Sequence, residues 1–177
     1  MHMLILIVGP SGAGKDTLLD AVRAETATNS SIVFARREIT RPATPGGEHH
    51  LPIDAETFAR RRDAGAYALC WEAHGLCYGI STEIETALDD GLTVVASVSR
   101  TVIETAARRY RLRVVEITAP ARILQERLQG RGRESERDIA NRLARTMPIA
   151  NDVDIISVVN DGTIAEGCAK LLAAISP

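Results

Sequence analysis

Residues 9–17 read GPSGAGKDT, directly after the apolar run Met3–Val8 and directly before a segment with helical spacing of apolar residues. Gly9, Gly12 and Gly14 allow a tight backbone turn. At a strand-to-helix junction such a turn aims successive N–H groups and the helix N-terminus at one point, which is a seat for a polyphosphate. The spacing G-x-x-x-x-G-K is that of a nucleotide-gripping loop. It demands a buried strand with a helix packed back on it, so the expected class is α/β with a mostly parallel sheet.

The loop residues Gly9, Pro10, Ser11, Gly12, Ala13, Gly14, Lys15, Asp16 and Thr17 are candidate ATP contacts. Lys15 supplies a compact ammonium for the β- and γ-phosphates. The usual Ser or Thr after that lysine ligates Mg2+; here Asp16 stands in its place. An acid in a first helical turn stabilises the macrodipole by about 0.3–1 kcal/mol. Alternatively Asp16 holds Mg2+ directly or through water, which turns repulsion of the phosphates into attraction. Thr17, one place further, keeps a hydroxyl for phosphate.

At 177 residues the chain suits one domain, and a net charge of -2 argues against a nonspecific nucleic-acid or membrane-surface binder. Anion binding is therefore local. Lys15 and Lys170 are the only lysines among 21 basic residues, a bias that genomic arginine preference explains and that makes Lys15 conspicuous. Cys70, Cys77 and Cys168 are odd in number and lack metal-knuckle spacing, so buried free thiols are expected. The run 3–8 is too short to span a membrane and no secretory leader precedes it, so the expected location is the cytoplasm.

Further along, Thr93–Val98, Leu112–Thr118 and Ile155–Val159 read as core strands, with helices near 101–109, 120–129 and 162–175. Pro120 suits a first-turn position. Residues 32–80 differ: strand-like pieces at Ile32–Ile39 and Tyr67–Trp71, a helix near 55–64 capped by Asp54, and the Pro/Gly-rich TRPATPGGEHHLP. This stretch reads as a small acceptor-binding insertion between core segments 1–31 and 81–177.

Several spaced pieces resemble guanylate kinase: GPSGAGK, ITRP with GGE, HGLCYG, RLQGRGRESERDIANRLAR and VVNDG, in family order across nearly the whole chain. The resemblance implies a P-loop nucleoside-monophosphate-kinase-like three-layer fold, with a mostly parallel central sheet flanked by helices and an Arg-rich lid at about 130–142. It implies that Arg41 and Tyr78 hold the acceptor phosphate and that Asn160 lies near the adenine. The guanine readers of that family, two carboxylates and a hydroxyl, align with Leu69, Ser99 and Ile80. Thr44 replaces a second phosphate arginine. Each missing partner in a buried polar site costs about 1–3 kcal/mol, so guanine recognition is not expected.

The loop's GKD, with ITR, GGEHH, LCWEAHGLCYG, SVSR and RGRES, is similar to the ribose 1,5-bisphosphate phosphokinase branch, which serves phosphonate catabolism. That likeness implies phosphoryl transfer from ATP to ribose 1,5-bisphosphate, giving 5-phosphoribosyl 1-diphosphate and ADP. The nucleophile is then a phosphate oxygen already largely ionised, its second pKa being near 6, so no general base is needed. Ser99 in place of a carboxylate agrees with this.

Between Arg127 and Arg145 six arginines face three acids. A solvated, salt-bridged helix explains most such runs. By resemblance Arg131 and Arg142 are catalytic lid arginines that close over the phosphates. Arg100 is a candidate for the acceptor's other phosphate, Glu48 for organising the acceptor loop, and His50, with His49, for the sugar or its phosphate. A nucleoside-monophosphate kinase and a non-catalytic guanylate kinase-like binding module remain the alternatives. Oligomeric state stays open, a homodimer included.

Overall fold

The computed structural model describes residues 3–42, 50–129 and 153–176. Five parallel strands form the main sheet: β1 (Leu4–Val8), β2 (Ile32–Phe34), β7 (Thr93–Ser97), β8 (Leu112–Thr118) and β9 (Asp154–Val159), in the order β2-β7-β1-β8-β9. The central strand β1 is buried throughout. Its side chains alternate between the two faces, as the period of two requires. Leu4, Leu6 and Val8 join one core cluster, while Ile5 and Ile7 join the other.

The second cluster is closed by α1 (Lys15–Glu25), through Leu18, Leu19 and Val22, and by α6 (Ile164–Ile175), through Cys168, Leu171 and Ile175. A capping box of Thr163 and Glu166 starts α6. The first cluster lies under α3 (Glu83–Asp89), α4 (Ile103–Ala107) with the 3-10 turn Arg100–Val102 before it, and a second sheet. At the start of α5 (Ala121–Gln129), the Pro120 carbonyl accepts from the Leu124 N–H, so the proline stands at the helix entrance, where its missing N–H costs nothing.

The second sheet runs β4-β3-β6-β5, from β3 (Arg37–Ile39), β4 (His50–Pro52), β5 (Tyr67–Ala73) and β6 (Leu76–Ser81). The stretch 32–39, expected as one strand-like piece, is thus two strands in two sheets: β2 pairs with β7, and β3 with β4 and β6. Of the three thiols only Cys168 is buried; Cys70 is exposed, because it points away from the core face that Leu69 occupies on β5.

Helix α2 (Ala55–Asp63), capped by Asp54 as expected, clamps this sheet through a buried carboxylate. Glu38 accepts from the Tyr67 hydroxyl at 2.5 Å and from Arg61 Nη2 at 2.9 Å, and Phe58 stacks on Tyr67 at 4.7 Å. Burial, and then the bond to Glu38, push the Tyr67 hydroxyl from 10.0 up to about 12. A raised folded value means that the unfolded chain loses its proton first. The stabilisation is therefore complete below pH 10 and is lost as pH rises towards about 12. Urea unfolding between about pH 9 and pH 11.5 should show a declining stability that Tyr67→Phe flattens. An unaltered slope would refute the assignment.

Candidate active site

The C-terminal ends of β1, β7 and β8 open onto one edge of the main sheet, where α/β folds bind ligands. There the loop after β1 turns through Gly9, Gly12 and Gly14, with φ of 145°, 83° and 83°. Gly14 leads into α1 in a left-handed conformation with no side-chain cap. First-turn N–H groups without a cap are what an anion needs. Lys15 Nζ donates to the carbonyls of Gly9 at 2.8 Å and Pro10 at 3.0 Å, which holds the ammonium across the mouth of its own loop.

Asn160, at the end of β9, is buried and donates to the Ala13 carbonyl at 2.8 Å. The family resemblance places it near the adenine; its contact in the fold is with the loop backbone itself. A side chain on Gly14 would meet Asn160 Nδ2 at 2.5 Å, so the Gly and the Asn fit as a pair. Beside them a cleft of about 310 Å³ is lined by Gly12, Thr17, Arg127, Asn160, Gly162 and Ile164. Polar atoms from the loop and the exposed Ile164 side chain give it the mixed walls that a nucleoside needs.

The four-stranded second sheet carries the second group of residues. Arg41 follows β3 in a turn closed by its own N–H to the Ile39 carbonyl at 2.7 Å. His50, expected at the sugar or its phosphate, is buried, and its Nε2 lies 3.1 Å from the Arg41 carbonyl. It therefore shapes the turn that presents Arg41. Tyr78 is the register partner of both Ile39 and Trp71, and the indole of Trp71 stacks on it at 5.3 Å with planes 6° apart. Leu69 and Ile80, the positions aligned with two guanine readers, face each other across β5 and β6 and are packed with β1 in the apolar core.

Ser99 accepts from the Thr101 N–H at 3.3 Å and from its hydroxyl at 2.9 Å, so it caps the 3-10 turn. Arg100, expected at a phosphate, pairs with Glu116 of β8. Glu48, Arg131 and Arg142, with Arg133, Arg137, Arg145 and His49, lie outside the described residues. Among the described residues no group of three or more His, Cys, Asp or Glu side chains converges as a metal site. No described helix is long and apolar enough to cross a membrane.

One residue escaped the sequence reading. Arg37, at the start of β3, donates from Nη2 to Asp16 Oδ1 at 3.1 Å and from Nη1 to Ser97 Oγ at 3.2 Å. Its signal was the period-two pattern, which sets it on the strand face of buried Ile39 and opposite Glu38.

Known proteins resemble this chain over most of its length. A ribose 1,5-bisphosphate phosphokinase PhnN of Rhizobium etli is 41% identical over 97% of this chain and 88% of that protein. The one of Desulfomicrobium baculatum is 42% identical over 94% of this chain and 90% of its own. A bifunctional ribose 1,5-bisphosphokinase-thymidine phosphorylase of Cupriavidus pinatubonensis matches at 45% identity over 96% of this chain, which spans only 28% of that longer protein. Among solved structures, guanylate kinase from Anaplasma phagocytophilum superposes with a TM-score of 0.68 at 21% identity, over 98% of this chain and 84% of that one. A gluconokinase from Sinorhizobium meliloti reaches 0.54 at 18%, over 98% and 91%. With the family model for guanylate kinase matching residues 1–176, on a backbone that bears the glycine loop and the second sheet, the chain belongs to the guanylate kinase family.

Proposed function

We propose that this protein transfers the γ-phosphoryl group of ATP to α-D-ribose 1,5-bisphosphate, producing 5-phospho-α-D-ribose 1-diphosphate and ADP. The observation that carries the reading lies in the acceptor sheet, where Leu69 and Ile80 are sealed in apolar core; the family resemblance assigns Arg41 and Tyr78, on the same sheet and the turn after it, to a phosphate. A guanine ring finds no hydrogen-bond partner at those two places. Relatives named for ribose 1,5-bisphosphate match over most of the chain.

The glycine loop and the uncapped start of α1 orient the polyphosphate. Lys15 leaves its loop carbonyls to meet the β- and γ-oxygens. Arg41 and Tyr78 hold one acceptor phosphate so that an oxygen of the 1-phosphate points at the γ-phosphorus. That oxygen forms the new P–O bond as the bond from the γ-phosphorus to the β,γ-bridging oxygen breaks, and ADP leaves with the electron pair. Catalysis is thus alignment and charge neutralisation. The half-exposed carboxylate of Asp16 suits Mg2+, which would screen the developing charge when bound. The family resemblance assigns Arg131 and Arg142, which lie outside the described residues, to the phosphates, where added positive charge would help neutralise the transferring group.

A coupled ADP-release assay tests the reading. The sugar bisphosphate is expected to exceed GMP by at least about thirtyfold in kcat/KM, since two or more absent hydrogen bonds are each worth about 1–3 kcal/mol. Turnover with GMP alone would reject it. Failure to bind ATP with Mg2+ would instead favour a binding module.

A further inference from the structure

We propose that Arg37 is the built-in counter-ion of Asp16, a positioning residue that lets an acid stand inside a phosphate-binding loop. Asp16 occupies the first turn of α1 beside Lys15, and about half of its side chain is exposed. Unbalanced, its carboxylate would repel an incoming polyphosphate. The guanidinium of Arg37, only 14% exposed, reaches it from the acceptor sheet. Its second nitrogen is anchored on Ser97, the buried last residue of β7. Two hydrogen bonds to different elements fix the plane of the group, so the positive charge is held at Asp16 rather than roaming in solvent.

The neighbouring charges support this assignment. Asp16, Asp20, Arg23, Arg37 and Ser97 line one small pocket open to solvent. Asp20, one helical turn beyond Asp16, is taken by Arg23 at 2.8 Å. Each acid on this face of α1 therefore has its own arginine. Arg23 comes from the same helix, whereas Arg37 comes from the strand that runs directly into Arg41. The acid of the nucleotide loop is thereby tied to the sheet that presents the acceptor phosphate.

The inference rests on the kinase reading only in requiring that the loop take a polyphosphate, and it concerns charge balance before any metal enters. Calorimetric titration with ATP in EDTA tests it. Arg37→Met should weaken metal-free ATP binding by about tenfold, the size of one charge-assisted contact. In an Asp16→Asn background the same substitution should change binding by less than about threefold, because the charge it balances is gone. Arg37→Lys should restore most of the affinity. Asp16→Asn alone should bind metal-free ATP at least as tightly as the parent, which keeps the idea testable should Arg37→Met fold poorly. Equal weakening by Arg37→Met in both backgrounds would mean a merely structural arginine and overturn the proposal, as would weaker binding by Asp16→Asn. A parent protein blind to ATP would reject both this inference and the kinase reading; a parent that binds ATP without the coupling rejects this one alone.

Discussion

Lys15→Ala is expected to remove most of the turnover, by roughly a hundredfold to a thousandfold in kcat, while leaving the fold standing. Transfer between two polyanions depends on positive charge placed where the γ-phosphoryl group moves, and deleting one well-placed donor in such a site costs roughly 10²–10³ in rate. Lys15 is the loop's only side-chain cation. In the structure its ammonium is tied to the Gly9 and Pro10 carbonyls, contacts at a partly exposed mouth where water can replace it. Thermal melting should accordingly move by only a few degrees, about what loss of a partly exposed hydrogen bond allows. Steady-state kinetics beside a melting curve separates the two effects. Retention of more than about a tenth of parental kcat would show that the phosphates are neutralised elsewhere.

The second large effect is on stability. Gly9→Ala would place a methyl group on the carbonyl oxygen of Ile117, far inside van der Waals contact, at a φ of +145° that alanine resists. Neither side can yield easily. Gly9 directly follows β1, Ile117 belongs to β8, and these two strands are paired from Leu4–Leu112 to Val8–Glu116 in the middle of the sheet. Backbone strain and forced separation together should cost about 3–5 kcal/mol. For a domain of this length that corresponds to about 10 °C or more in Tm, with loss of ATP binding as the loop shifts. Gly91→Ala is the control: its φ is also positive, +81°, but open space surrounds it. It should lose only about 1 kcal/mol. Comparable melting temperatures for the two variants would remove the steric argument.

Legibility followed the range of the forces involved. The strand–loop–helix start was readable because Met3–Val8 is continuously apolar and the glycines stand at fixed offsets. In the structure the strand covers Leu4–Val8 and the helix begins at Lys15. Leu69 and Ile80 were read as unable to recognise guanine, and both are sealed in the core. The middle of the chain was less transparent. Strands of three residues such as β2 and β3 give too few alternations to show where one sheet ends and another starts. His50 looked like a loop histidine because GGEHH is polar and glycine-rich, yet pairing of β4 with β3 carries its ring into the interior.

The sequence by itself determined the local residue pattern: a glycine loop with its lysine between strand and helix, an acid where a hydroxyl is customary, and apolar side chains at two of the places where the family's guanine readers align. Only the tertiary structure decided which side chains support that pattern from afar. Asn160 reaches Ala13 across 147 positions, and Arg37 reaches Asp16 across 21. Such contacts depend on strand order, β2-β7-β1-β8-β9, which sets distant segments side by side through crossovers that no local periodicity encodes.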